Sequence, residues 1–99
     1  YTSKELKQSK SVLNKVGYFS KRFAAKEAFS KALGTGLRMN LNFKDIEVMN
    51  DKMGKPYYVK NIKINKIINK RFKTKNYQCF LSISDEKKYS TAFAIIQTS

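Results

Sequence analysis

Apolar positions recur along the first third of the chain at helical spacing. With about 3.6 residues per turn, Val12, Val16, Phe19 and Phe23 form one stripe, at steps of four, three and four. The pattern predicts a long helix over about 12–33. Ser11 is the expected cap, and Gly34 is well placed to end the helix in a left-handed turn. Gly17 is a mild cost inside it. Ahead of it, Thr2-Ser3-Lys4-Glu5-Leu6 sets a hydroxyl cap before an acidic first turn. That predicts a short first helix which breaks near Gln8-Ser9-Lys10.

The remainder reads mainly as strands. From Phe43 to Met49, Phe43, Asp45, Glu47 and Met49 alternate with Lys44, Ile46 and Val48, as in a strand with a mixed face. Asn50-Asp51-Lys52-Met53-Gly54 is turn chemistry, so Lys55 to Lys60 should pair back as a hairpin. Between Lys60 and Lys75 stand seven cations and no acid. Ile64, Ile68 and Phe72 are four apart with Ile67 adjacent, which favours an amphipathic helix near 64–73. A strand built on Ile62 and Ile64 stays open. Tyr77 to Ser84 and Tyr89 to Gln97 read as a second hairpin around the Asp85-Glu86-Lys87-Lys88 turn. Helices followed by antiparallel strands give an α+β chain, one domain over 1–99.

One position breaks the helical stripe. The step of four after Phe23 lands on Glu27, where a core helix would carry Leu or Ala. A buried, unpaired carboxylate is costly, so Glu27 is expected to have a cation or a metal as partner. Lys31, four residues on, offers the plainer answer of a surface ion pair. Periodicity alone does not choose between the two.

Composition narrows the chemistry. There is no His, which removes imidazole acid–base chemistry, His-based metal sites and Ser-His triads. Cys79 is alone, so no internal disulfide forms, and its apolar neighbours suggest a structural thiol. No apolar run approaches the roughly 20 residues that span a bilayer. Lys and Arg total 21 against 7 acids, a net charge of +14. That excess suits an acidic protein, a phosphorylated small molecule or nucleic acid. Only three of the cations are Arg (Arg22, Arg38, Arg71), fewer than dedicated base or phosphate readers use. The abundance of Lys, Asn and Ile together also fits biased codon usage.

The run from Arg22 to Gly36, RFAAKEAFSKALGTG, resembles the signature of the acyl-carrier-protein synthases, the small class of phosphopantetheinyl transferases. Weaker blocks follow in the family's order. Phe43 to Val48 is similar to its strand after the helix, and Asn50 to Tyr57 to its hairpin turn. Leu81-Ser82-Ile83-Ser84-Asp85 stands where the family has Ser-Ile-Ser-His or Ser-Ile-Thr-His, and Ala92 to Gln97 resembles its last strand. The family opens with a strand carrying Gly-x-Asp and a further helix, which nothing here matches, so the domain is expected to be incomplete at its N-terminus.

The resemblance implies a fold, a long helix packed on an antiparallel sheet in a homotrimer with sites between subunits. It implies transfer of 4′-phosphopantetheine from coenzyme A to a serine of an acidic acyl carrier protein. It implies Mg²⁺ or Mn²⁺ held by Glu27 and by the Asp of the opening strand, and Lys31 at the phosphates. Arg22, Ser30, Lys31, Gly34, Lys55, Pro56, Ser84 and Asp85 are then expected at the coenzyme, with Phe23 against the carrier. Asp85 replaces the family His. Accepting the serine proton, holding the metal through water and repelling the 3′-phosphate all remain open to it. The competing readings are a basic RNA- or DNA-binding module using Lys60 to Lys75 and a non-catalytic relative. The Glu27 block has no role in the former, so nucleic acid is not an expected partner. A cytoplasmic location is expected in a bacterium, and a plastid or other organelle in a eukaryote.

Overall fold

The computed structural model describes residues 1–12, 14–34, 41–85 and 90–98, with the side chain of Asp85 excepted. The elements run α1 (Ser3–Ser9), α2 (Lys15–Ala32), a 3₁₀ turn (Phe43–Asp45), β1 (Val48–Asn50), β2 (Pro56–Tyr58), α3 (Ile62–Phe72), β3 (Tyr77–Asp85) and β4 (Ser90–Thr98). The α+β class and antiparallel pairing are as expected.

Local chemistry explains the boundaries. The Thr2 hydroxyl accepts the Glu5 N–H at 3.1 Å, while Thr2 N–H donates to Glu5 Oε1 at 2.8 Å. This reciprocal cap starts α1. Ser11 does not cap α2. Its hydroxyl donates back to the Gln8 carbonyl at 3.0 Å, closing α1. Asn14 is the cap, its Oδ1 accepting Gly17 N–H at 3.0 Å. A side chain at Gly17 would put its Cβ 2.7 Å from the Asn14 amide, so this glycine makes room for the cap.

The expected strand from Phe43 is shorter at its start. Asn42 N–H donates to Asp45 Oδ2 at 2.8 Å and Asp45 N–H to the Asn42 carbonyl at 2.9 Å. That local bonding competes with a ladder, and pairing begins only at Val48. Val48, Met49 and Asn50 pair with Tyr58, Tyr57 and Pro56. Asp51 Oδ1 builds the turn by accepting from Met53 and Lys55 N–H at 2.9 and 2.8 Å. The helix alternative holds for the basic stretch. Asn61 caps α3, and Ile64, Ile67 and Ile68 face inward while most of its lysines face solvent.

The long hairpin β3–β4 pairs without a bulge, from Tyr77 with Thr98 to Asp85 with Ser90. It forms a ladder separate from β1–β2. The core gathers Phe29, Leu33, Leu41, Ile46, Ile64, Ile67, Ile68 and Tyr77. Each such side chain contributes about 1.5–3 kcal/mol on burial. Cys79 packs against this cluster, and burial pushes its thiol up to about 11, so it is protonated and inert at neutral pH.

Candidate active site

The face of α2 that is buried is not the face its apolar stripe predicts. Val16 is 83% exposed and Phe23 46% exposed. The inner face carries Tyr18, Arg22, Ala25, Lys26, Phe29 and Ser30. Two parallel rows at spacing four, one residue apart, define the helix. Arg22, Lys26 and Ser30 point inward, and Phe23, Glu27 and Lys31 point outward.

The inward cations are held by partners from α1. Lys26 and Glu5 are fully buried and form an ion pair at 2.8 Å. Lys26 Nζ also donates to the Phe43 carbonyl at 2.7 Å. The other Glu5 oxygen accepts the Val48 N–H at 2.9 Å. One carboxylate thus ties α1 to α2 and β1. Arg22 donates to Gln8 Oε1 at 2.9 Å and lies 3.6 Å over the Tyr18 ring. Burial lowers its pKa, against the pull of Tyr18 and Glu5. Ser30 donates to the Glu27 carbonyl at 2.8 Å. Arg22 and Ser30, expected beside the coenzyme, are therefore turned into the interior. Neither the buried Glu5–Lys26 pair nor its role was found from sequence. A Glu–Lys pair 21 residues apart leaves no periodic signal.

Outside, the arrangement differs. Glu27 is exposed, so burial does not force a partner on it. Among the described residues it makes no ion pair, and Lys31 does not close on it. Phe23 rests edge-on against Phe43, ring centroids 5.2 Å apart, and leaves nearly half its surface open. Glu27 and Lys31 are brought together on one open edge of the helix, with Gly34 just beyond its end.

Gly34 has φ +77°, and its N–H donates to the Lys31 carbonyl at 2.9 Å. What approaches it closely in this chain is Arg71, whose terminal nitrogen would lie 3.1 Å from a Cβ there. Lys55 is exposed in the first hairpin, and Pro56 begins β2. Pro56 lines a hollow of about 300 Å³ with Tyr18, Lys21, Arg22, Asn50 and Ile83. Among the described residues, Arg22 Nε has no hydrogen-bond partner. Ser84 is exposed opposite Thr91 on the hairpin. The side chain of Asp85 lies outside the described residues.

The residues suit half of a hard-cation site. Mg²⁺ prefers oxygen ligands, takes few carboxylates and keeps waters. Glu27 offers one accessible carboxylate that is unpaired among the described residues. Among the described residues no group of three acidic or thiol side chains gathers around a common point. Further oxygens must then come from substrate phosphates, water or another segment.

The sequence profile of the 4′-phosphopantetheinyl transferase superfamily matches residues 1–94. The chain belongs to this superfamily. A holo-[acyl-carrier-protein] synthase of Pelagibacter ubique is 61% identical over 97 residues, covering 98% of this chain and 76% of that protein. The solved holo-[acyl-carrier-protein] synthase of Neisseria meningitidis superposes with a TM-score of 0.83 at 35% identity, covering 99% of this chain and 75% of that one. The enzyme of Bacillus anthracis, solved in complex with CoA (3′,5′-ADP), gives a TM-score of 0.77 at 33% identity, covering 99% and 76%. The chain therefore spans about three quarters of the length of these superfamily members. Most of its basic stretch forms α3, where Lys63 pairs with Asp45, and Lys60 just ahead of the helix donates to the Tyr77 carbonyl.

Proposed function

We infer that this chain transfers 4′-phosphopantetheine from coenzyme A to a serine of an acyl carrier protein. The products are the holo carrier and adenosine 3′,5′-bisphosphate. The observation that carries the reading is the open Phe23–Glu27–Lys31 edge in a close relative of holo-[acyl-carrier-protein] synthases. The serine oxygen bonds to the phosphopantetheine phosphorus and gives up its proton to solvent, while the bond from that phosphorus to the bisphosphate oxygen breaks and adenosine 3′,5′-bisphosphate leaves. Such a transfer needs positioning and charge stabilisation more than covalent help. Lys31, exposed one turn from Glu27, offsets negative charge on the phosphates. Glu27 would hold Mg²⁺ or Mn²⁺, which when bound neutralises phosphate charge. Phe23 offers the carrier an apolar contact, and the net charge of +14 favours encounter with an acidic partner.

The test is incubation of apo carrier protein with coenzyme A, Mg²⁺ and the protein, followed by mass spectrometry. A phosphopantetheine adduct on the serine is expected; an unmodified carrier overturns the reading. Lys31→Ala should lower transfer at least about tenfold, the scale of losing one charge-stabilising group. Because Lys31 is exposed, the melting temperature should stay within about 2 °C, well under a 1 kcal/mol change. A large fall in melting temperature with activity per folded molecule retained would refute the assignment.

A homotrimer completes the proposal. Phe80 (47% exposed), Phe93 (78%) and Ile95 (58%) form an apolar patch on the outer face of β3–β4. Self-association would cover this patch. Sedimentation at roughly 50 µM, well above the Kd of a specific interface, should give a trimer, and Phe93→Lys should give a smaller species. A stable wild-type monomer at that concentration counts against the trimer.

A further inference from the structure

We propose that Arg71 is a phosphate-binding residue of the coenzyme site, held in place by the C-terminus of α2. The proposal rests on the transferase reading above and adds to it a residue outside the sequence signature. Arg71 lies in the last turn of α3, 37 positions after Gly34 in the chain. Its Nε donates to the Leu33 carbonyl at 3.1 Å, one of the carbonyls left without a partner where α2 ends. Leu33 is itself fully buried, so this anchor is fixed to the core.

The guanidinium continues over Gly34, where a Cβ would sit 3.1 Å from Nη2. Gly34 follows Lys31 by about one turn, so the two cations border the same end of α2. A guanidinium has five N–H donors in a rigid fork. The anchor uses the Nε–H, and among the described residues the Nη groups donate to none. Arg71 remains exposed. It is thus a partly immobilised fork with free donors, beside a glycine that leaves the approach open.

Two further points separate Arg71 from the solvated lysines. A cation is favoured at a helix C-terminus whatever its type, so a lysine would satisfy that need alone. In a chain where only three of 21 cations are Arg, an Arg at this position supplies what Lys lacks, one edge to cap the helix and another to bind a bidentate anion. No acidic side chain pairs with Arg71 among the described residues, so its charge is available to a ligand.

The experiment uses the protein expressed from its full reading frame, with wild type, Arg71→Gln and Arg71→Lys. Steady-state transfer is measured with coenzyme A and with 3′-dephospho-coenzyme A, and calorimetry measures binding of coenzyme A alone. Arg71→Gln should raise KM and Kd for coenzyme A about tenfold, the scale of one charge-assisted contact, with kcat within about twofold. Arg71→Lys keeps the charge and loses the fork, so its Kd should rise less. If the contact is to the 3′-phosphate, the penalty vanishes with the dephospho analogue; if to the pyrophosphate, it persists. Unchanged KM and Kd in Arg71→Gln, with a lowered melting temperature or without, would leave Arg71 as a helix cap only and overturn the proposal. Should Arg71→Gln fail to fold, Arg71→Lys decides: coenzyme affinity equal to wild type overturns it. Wild type that binds coenzyme A but modifies no carrier would sink the transferase reading instead, a separate result.

Discussion

Lys26→Met should destabilise the fold by about 3–5 kcal/mol, the scale of removing one partner from a buried ion pair. For a domain near 100 residues that is a fall in melting temperature of roughly 12 °C or more. The cause is the carboxylate left behind. Glu5 is fully buried, and without Lys26 its remaining hydrogen bonds among the described residues come from the Thr2 and Val48 N–H groups, with the Arg22 charge nearby. The Phe43 carbonyl loses one of its two donors and keeps the Ile46 N–H at 3.2 Å. Removing the stranded charge should restore part of the loss, so Glu5→Gln is expected to be stabilising in the Lys26→Met background though destabilising alone. Gln keeps an acceptor for the backbone and sheds the charge. Thermal unfolding of the two single variants and the double measures this coupling. A loss under about 1 kcal/mol for Lys26→Met, the range of an exposed pair, would mean that the ion pair is not closed in solution.

The same pair shows why the inner face of α2 was illegible in the sequence. A periodic reading scores Arg22 and Lys26 as polar and turns them outward, which selects the Val12–Val16–Phe19–Phe23 stripe. Their burial depends on Gln8 and Glu5, carried by another helix, and no local window contains both partners. Signals confined to a few residues were legible: the Thr2–Glu5 cap, the Asn50–Gly54 turn and the isoleucine spacing of α3. Phe43–Asp45 misled because its alternation suits a strand while Asn42 and Asp45 bond to each other. The placement of Glu27 and Lys31 on one edge was legible as a spacing of four. Burial forces no partner on Glu27, because Glu27 is exposed, as are Val16 and Phe23 of the stripe it continues. Arg71 was legible only as one cation among seven, since its contacts are with residues on α2.

Glu27→Gln should abolish metal-dependent transfer while leaving the fold nearly unchanged. The substitution keeps the shape and removes the charge. Exposure of Glu27 makes the stability side of this prediction sharper than the sequence did. With no ion pair to Lys31 among the described residues, there is no interaction for Gln to break, and the melting temperature should move by less than about 2 °C. The activity side rests on what an unpaired carboxylate beside an ammonium can do for a pyrophosphate. It would hold a hard divalent cation, which would supply neutralisation of the phosphate charge. Loss of a direct metal ligand costs on the order of several kcal/mol of transition-state stabilisation, against about 0–1 kcal/mol for a surface ion pair. A gap of that size separates the two outcomes in a single assay of transfer rate against Mg²⁺ concentration. If Glu27→Gln transfers phosphopantetheine at nearly the wild-type rate with the same metal requirement, Glu27 is a solvated surface residue and the metal lies elsewhere.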